Sequence, residues 1–341
     1  MFRNPNRDLV NRDIIDFDSR TKKALTTWRF LSIFALWALA GGIPSGHAQE
    51  SLTVMLDWFV NPDHGPLIVA QGKGFFRDAG IEVELIAPAD PNDPPKLVAA
   101  GKADVAVSYQ PQLHLQIDQG LPLTRVGTLV ATPLNSLVVL AKGPIRSIAD
   151  LRGRKVGFSV GGFEDALLSA MLERHGLKLG DVSLVNVNFS LSPSLISGQV
   201  DAVIGAFRNF ELNQMDLVNE PGRAFFVEEE GVPAYDELIF IANRNRLDVD
   251  LLRRFMGAVE RSVQYVVNHP AESWQVFVTG DPALNDELNQ RAWRDTLPRF
   301  ALRPAALDRG RYMRFAAFLH KQGLIRAIPP LDSYAVDLGE P

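Results

Sequence analysis

The 341-residue sequence contains no cysteine. That absence excludes disulfides, thiolate metal sites, a catalytic thiol and a lipid-bearing cysteine near the N-terminus. Its six histidines are scattered and form no spaced ligand set, so no metal site is expected. Basic residues are in deficit, with 35 Lys and Arg against 40 Asp and Glu and a net charge of −5. That balance suggests neither a nucleic-acid surface nor a polybasic membrane patch. Long apolar runs are missing as well. The stretch from Phe30 to Ala40 falls well short of the ~20 residues that span a bilayer.

That short stretch reads instead as part of a leader. Lys22, Lys23 and Arg29 precede it, and small residues then lead to Gly46-His47-Ala48, the layout of a secretory signal peptide. Cleavage is expected near Ala48, which makes residues 1–48 a signal peptide and the rest an exported, unanchored protein. Its removal takes seven of the Lys and Arg and four of the Asp and Glu, leaving a net charge near −8. The remaining ~290 residues exceed one typical core and fit two domains.

A repeat shows how those domains are related. Gly101-Lys102-Ala103-Asp104-Val105-Ala106-Val107 is echoed by Gly198-Gln199-Val200-Asp201-Ala202-Val203-Ile204, each at the end of a similar run of signals. In the first half the pattern predicts a strand over 52–56, a helix from Pro66 to Asp78 closed by Gly80, a strand over 82–87, a helix over 95–100 and a strand over 105–108. The second half predicts a strand over 155–159, a helix from Glu164 to Arg174 closed by Gly176, a strand over 182–187, a helix over 192–197 and a strand over 202–205. Strands alternating with helices of this length imply parallel pairing and doubly wound α/β sheets. The β-rich runs 136–140 and 237–242 are expected as hinge strands. After them Leu252, Phe255, Met256, Val259, Val263 and Val266 recur at the spacing of one buried helical face, and Tyr312 to Lys321 suggests another helix. The expected division is lobe 1 over 49–138 and 242–341, and lobe 2 over 139–241.

In open α/β sheets ligands lie beyond the carboxyl ends of the strands, which singles out four loops. The first, Asp57 to His64, combines the Asp57 carboxylate, the Trp58 ring face, the Asn61 amide and the His64 imidazole. Trp58 fits a stacking face or ordinary core equally well, and His64 a ligand contact or a residue that satisfies the turn. The second offers Tyr109 and Gln110. The third, Gly161-Gly162-Phe163-Glu164, places free backbone N–H groups before a helix, where an anionic or polar group is favoured. The fourth carries Arg208, Asn209 and Glu211. If the halves face each other, Glu211 opposes Asp57, and two carboxylates flanking a flat ring suit an amino-heterocycle.

These segments carry a resemblance. Asp57-Trp58 through Asn61-Pro62-Asp63-His64-Gly65-Pro66, Ala70 to Phe76, Gly80-Ile81 and Gly101-Lys102-Ala103-Asp104 resemble the thiamine-pyrimidine family, over roughly residues 51–275. That family holds the bacterial ThiY-type solute-binding proteins of ABC importers and the fungal thiamine-pyrimidine synthases. The resemblance implies a two-lobed periplasmic-binding-protein fold of type II, closing in the periplasm on a thiamine precursor such as a formylated aminomethylpyrimidine and handing it to an inner-membrane ABC permease. It assigns Asp57 and Trp58 to the opening motif, Tyr109 to the aromatic after the third strand, and Asn209 and Glu211 to the second-lobe segment. The synthase branch uses a lysine for pyridoxal phosphate where Ser108 stands here, and a cysteine-rich iron-binding stretch that this chain lacks. One departure is Arg208, where relatives often have an aromatic. A guanidinium there would select a ligand bearing phosphate, sulfonate or carboxylate, and relatives with this fold bind riboflavin, nitrate, taurine or alkanesulfonates.

An enzymatic alternative rests on Gly157-Phe158-Ser159-Val160-Gly161, which fits G-x-S-x-G between a strand and a helix. It would need an acid and one of His175, His269 or His320. The duplicated sheet plan argues against the single sheet of such hydrolases. The expectation is therefore a monomeric solute-binding protein with no cofactor and no chemistry of its own, closing about hinges at 138–141 and 238–243.

Overall fold

The computed structural model describes residues 49–339, so the expected signal peptide lies outside the described residues. The first run of signals folds as β1 (Glu50–Met55), α1 (Gly65–Gly72), α2 (Phe75–Asp78), β2 (Ile81–Ile86), α3 (Pro94–Ala99) and β3 (Val105–Ser108). Then come α4 (Gln110–Asp118), β4 (Leu123–Val130) and β5 (Asn135–Leu140). The second run gives β6 (Lys155–Phe158), α5 (Glu164–Arg174), β7 (Ser183–Asn186), α6 (Leu191–Ile196) and β8 (Ala202–Phe207), followed by α7 (Glu211–Leu217), β9 (Gly222–Phe226) and β10 (Leu238–Asn243). Helices α8 (Val249–Asn268), α9 (Pro270–Gly280), α10 (Glu287–Thr296) and α11 (Arg309–Lys321) complete the chain. Among the described residues no helix is long and apolar enough to cross a membrane. The helix expected over 66–78 is broken into α1 and α2, because Gly74 adopts a left-handed φ of 76° that no α-helix can contain.

Two five-stranded sheets result, ordered β2-β1-β3-β10-β4 and β7-β6-β8-β5-β9. The orders match strand for strand, which is the duplication seen in three dimensions. Pairing is parallel among β1, β2 and β3 and among β6, β7 and β8. β10, however, runs antiparallel to β3 and β4, and β5 antiparallel to β8 and β9. The expectation of parallel pairing throughout is corrected here, since the fifth strand of each half is inserted into the other half's sheet. A strand that arrives from the opposite sheet is not bound by the βαβ crossover rule that keeps the others parallel.

This exchange also moves the connecting segments. The runs expected as hinges are sheet interior: residues 135–138 pair with β8 and β9, and residues 238–241 with β3 and β4. The boundaries at 138/139 and 241/242 therefore cut through strands held by ladder hydrogen bonds, while the chain passes between sheets at 131–134 and 227–237. β3 and β4 are buried at every position, as expected of strands covered on both faces. α8 buries the six apolar residues read from its spacing, and the Asp248 side chain caps it by accepting from the Leu251 N–H. It packs on α1 and α2, while α9 packs on α1 and α10 touches both the Pro62–His64 turn and α7. Arg125 on β4 is fully buried, and its guanidinium donates to the carbonyls of Pro304, Ala305, Ala306 and Val336 and to the Thr128 hydroxyl. It thereby anchors the C-terminal segment to the first sheet.

Candidate functional site

Between the lobes, beyond the carboxyl ends of β1, β3, β6 and β8, lies a cavity whose free space of about 390 Å³ runs into open solvent. The first lobe lines it with Asp57, Trp58, Asn61, Asp63 and Tyr109. The second contributes Glu164, Leu191, Gly205, Phe207, Phe210 and Glu211. Four carboxyl groups thus converge on one space walled largely by aromatic rings, and among the described residues no lysine or arginine lines it.

The first-lobe side is built around Asp57. The Asn61 N–H donates to His64 Nδ1 at 3.3 Å, which leaves the proton on Nε2 to be donated to Asp57 Oδ1 at 2.9 Å. The Tyr109 hydroxyl donates to Asp57 Oδ2 at 2.9 Å. Both carboxylate oxygens are therefore committed, and Asp57 fixes the orientation of His64 and Tyr109 while presenting its remaining lone pairs to the cavity. Burial first, then the neighbouring Asp57 charge, pushes the Tyr109 phenol well above its ordinary value, so it stays a neutral donor. Asn61 shapes the turn: its Oδ1 accepts the Asp63 N–H at 2.8 Å and its Nδ2 donates to the Phe59 carbonyl at 3.2 Å. Trp58 reaches across the cleft, with its ring centroid 4.6 Å from that of Phe189 at a 73° tilt, and packs with Val138, Val187 and Leu191 of the second lobe.

Facing this, Glu211 opens α7 and its carboxylate accepts the Phe207 N–H at 2.7 Å. Glu164 opens α5 and accepts the Ser159 N–H at 2.7 Å. Its carboxyl lies against Gly205, whose φ is 97°; a Cβ there would stand 2.3 Å from Glu164 Oε1, so the glycine makes room for the acid. Asp63 joins the two lobes. Its Oδ1 accepts from Asn209 Nδ2 at 2.6 Å and from the Thr296 hydroxyl at 2.9 Å, tying the first loop to the segment after β8 and to α10.

Burial dominates the electrostatics of these acids. It pushes Glu164 and Glu211 up to about 8, against their backbone N–H bonds. It also pushes Asp63 up to about 6, against the pull of His64 and of its hydrogen bonds to Thr296 and Asn209. Behind the cavity Glu237 is pushed up to about 7 by burial, although it accepts the N–H groups of Leu134 and Asn135 at 2.6 and 2.9 Å. Each of these groups holds its proton more tightly folded than unfolded, so the native state binds more protons between the unfolded and folded values. Stability of the ligand-free protein must then fall as pH rises through that window. The expected result is a loss of a few kcal/mol between pH 5 and pH 8, read from urea midpoints; a flat or rising profile would contradict the burial of these acids.

The structure brings Asp57, Trp58, Asn61, Tyr109, Glu164 and Glu211 to the cavity wall. His64 stands behind Asp57, and Asn209 behind Asp63. Phe163 stacks on Tyr109 with centroids 4.8 Å apart. Four expected contacts sit elsewhere. Gln110 Oε1 accepts the Asp236 N–H at 2.8 Å, bound to the second connecting segment. Gly161 is engaged by Asn92 from across the cleft, and Gly162 has open space beside it. Arg208 is the main departure: its guanidinium pairs with both oxygens of Glu228 at 2.7 and 2.8 Å, lies 3.9 Å over the Phe226 ring and bonds the carbonyls of Leu134 and Asn135. Its charge serves the connecting segments instead of selecting an anion. Asp63, Leu191, Gly205, Phe207 and Phe210 were not singled out from the sequence. The position of Asp63 inside the Asp57–His64 loop was the available signal, as was that of Phe207 and Phe210 in the fourth loop, whereas Gly205 ends the strand expected over 202–205 and Leu191 just precedes the helix expected over 192–197. Ser159 is fully buried with its hydroxyl donated to the Asn188 carbonyl, and His175 bonds Glu230 at 2.7 Å, so no nucleophile–base pair forms there. Ser108, in the place of the synthase lysine, is buried and donates to Gln112 Oε1 at 2.9 Å.

Comparison with known proteins adds four findings. The family model described as NMT1/THI5 like matches residues 61–273. A putative thiamine biosynthesis protein of Haemophilus influenzae is 57% identical over 292 residues, covering 85% of this chain and 93% of that protein. The formylaminopyrimidine-binding protein of Halalkalibacterium halodurans is 34% identical over 252 residues, covering 73% of this chain and 76% of that protein. Among solved structures, a Candida albicans protein described as exhibiting the generic periplasmic binding protein structural fold superimposes with a TM-score of 0.67. It is 17% identical and covers 84% of this chain and 96% of its own, so the likeness concerns the fold. The chain has the periplasmic-binding-protein fold, with its two sheets flanked by helices.

Proposed function

We propose that this chain, which belongs to the NMT1/THI5-like family, is an extracytoplasmic solute-binding protein. It captures an amino-substituted pyrimidine of the thiamine-precursor class by closing its lobes, and delivers it to an ABC permease. The observation that carries this reading is a cavity lined by four carboxyl groups and aromatic faces, with no cationic side chain. A flat ring stacks on such walls, and its amino group finds carboxylate acceptors. Glu164 and Glu211, with values near 8, are largely protonated at neutral pH and so also offer an O–H to a ring nitrogen. An N–C–NH2 edge needs that combination of donor and acceptor.

A sulfonate, nitrate or phosphate would have to enter a buried site beside Asp57 with no cation among the lining residues to meet it, since Arg208 is spent on Glu228. Riboflavin is a competing flat ligand, and the ligand panel below distinguishes it. Catalysis finds no support in the geometry: Ser159 is engaged with Asn188, and neither the synthase lysine nor a cysteine is present. The role is capture and release.

Thermal unfolding of residues 49–341 with formylaminopyrimidine, hydroxymethylpyrimidine, riboflavin, taurine and nitrate in turn tests the reading. Ligand at 100 times its dissociation constant adds about 2.7 kcal/mol of stability. Stabilisation by an aminopyrimidine is the expected result, and stabilisation by an anion alone would overturn it.

A further inference from the structure

A second set of contacts holds the two lobes together away from the cavity. Asn92 lies in the loop between β2 and α3, in the first lobe, and does not line the cavity. Its Nδ2 donates to the Ser159 carbonyl at 3.0 Å, and its Oδ1 accepts the Gly161 N–H at 3.0 Å. Both of those groups belong to the loop after β6, in the second lobe. Asp90 prepares the side chain by accepting from the Asn92 backbone N–H at 2.8 Å and from its Nδ2 at 2.9 Å. Only one orientation of the carboxamide fits, because a flipped amide would set its oxygen against two acceptors and its nitrogen against a donor.

We propose that Asn92 is a latch that biases the lobes towards closure independently of the ligand. The Asp63–Asn209–Thr296 contact also crosses the cleft, but Asp63 lines the cavity, where a ligand competes for it. The Asn92 contact does not meet the ligand. It contributes equally to the empty and loaded closed states and so sets what fraction of the empty protein is closed. Observed affinity is the intrinsic affinity scaled by the binding-competent fraction, and escape of the ligand requires the latch to break. Asparagine is the side chain that fits: aspartate would repel both Asp90 and the Ser159 carbonyl, and alanine removes both cross-cleft bonds. The Gly161-Gly162 turn gains a role here too, since Gly161 spends its N–H on the other lobe.

The absence of native cysteine permits a direct test. Lys102 and Gln199 are exposed and occupy equivalent turns of the two halves, so spin labels on Lys102→Cys and Gln199→Cys report the lobe separation. Distance distributions are measured for ligand-free protein with and without Asn92→Ala or Asn92→Asp. The expected result is a closed population that falls about tenfold in either variant, with ligand dissociation about tenfold faster, the loss of two neutral hydrogen bonds. The association rate and the melting temperature of the ligand-free protein should stay close to wild type; a role confined to folding would lower the latter. Unchanged distributions, or a wild type with no closed population before ligand is added, would overturn the proposal. Only the dissociation measurement rests on the solute-binding reading and uses hydroxymethylpyrimidine. Were no pyrimidine to bind, the ligand-free distances would still decide.

Discussion

Glu211→Ala is expected to weaken binding of the aminopyrimidine by about 100-fold, while Glu211→Gln stays within about tenfold of wild type at pH 7. The alanine variant removes a carboxyl that faces the cavity and leaves the Phe207 N–H, now held at 2.7 Å, without its partner in a dry site. Losing a ligand bond and exposing an unsatisfied buried donor together cost about 3 kcal/mol. Glutamine behaves differently because a carboxyl held near 8 is mostly protonated at pH 7. An amide reproduces the protonated acid: its oxygen accepts the Phe207 N–H and its NH2 donates to the ring nitrogen. Wild-type affinity should also fall above pH 8, as Glu211 loses the proton it donates, and that loss should be smaller in Glu211→Gln. Isothermal titration calorimetry of both variants checks this. A Glu211→Ala protein with affinity within fivefold of wild type would remove Glu211 from the site, and a Glu211→Gln protein as weak as alanine would mean that the ionised carboxylate is the partner.

Arg125→Met should lower stability by about 3–5 kcal/mol, the usual cost of breaking a buried network of charge-assisted bonds. The side chain is fully buried on β4 and serves four carbonyls and one hydroxyl at once. Those carbonyls belong to residues 304–306 and 336, a segment whose backbone otherwise meets the sheet at only a few points, such as the bond from the Thr128 N–H to the Pro304 carbonyl at 2.8 Å. Methionine fills most of the volume and supplies no donor, so the carbonyls lose their partners without a large cavity opening. The Thr128 hydroxyl that accepts from Arg125 in turn donates to Asp236, which also binds Arg311. Urea unfolding of the variant against wild type measures the effect, and a loss below about 1 kcal/mol would show that these carbonyls are readily satisfied by water.

Much of the architecture was legible because it depends on local period. The buried face of α8 follows from apolar residues recurring every three or four positions, and its six residues are the ones buried. β3 and β8 follow from short apolar runs after the repeated glycine turns, and Gly80 and Gly176 close their helices with φ of 75° and 72°. The strand-end loops were identifiable for the same reason, and they do surround the cavity. Arg208 shows where such reasoning stops. Its place after β8 put it at the cleft, yet its direction was decided by Glu228, twenty residues on, and by Leu134 and Asn135, more than seventy residues back. Asp63 is the opposite case. Within its own loop it looks like a turn residue, and its role depends on Asn209 and Thr296, 146 and 233 residues away.

From the sequence alone came two related α/β halves, the first three strands of each with the helices between them, and the loops at the strand ends. All of these follow from neighbours within a few residues, where hydrophobic period and glycine geometry act directly on the backbone. The exchange of β5 and β10 between sheets, the choice of which polar side chains face the cavity, and the contacts that span the cleft were decided only by the tertiary structure. They depend on which groups meet across lobes, and on burial deep enough to move four carboxyl groups towards neutrality. Spacing along a chain carries the direction of a side chain relative to its own element, and says nothing of the partner that a second lobe will set against it.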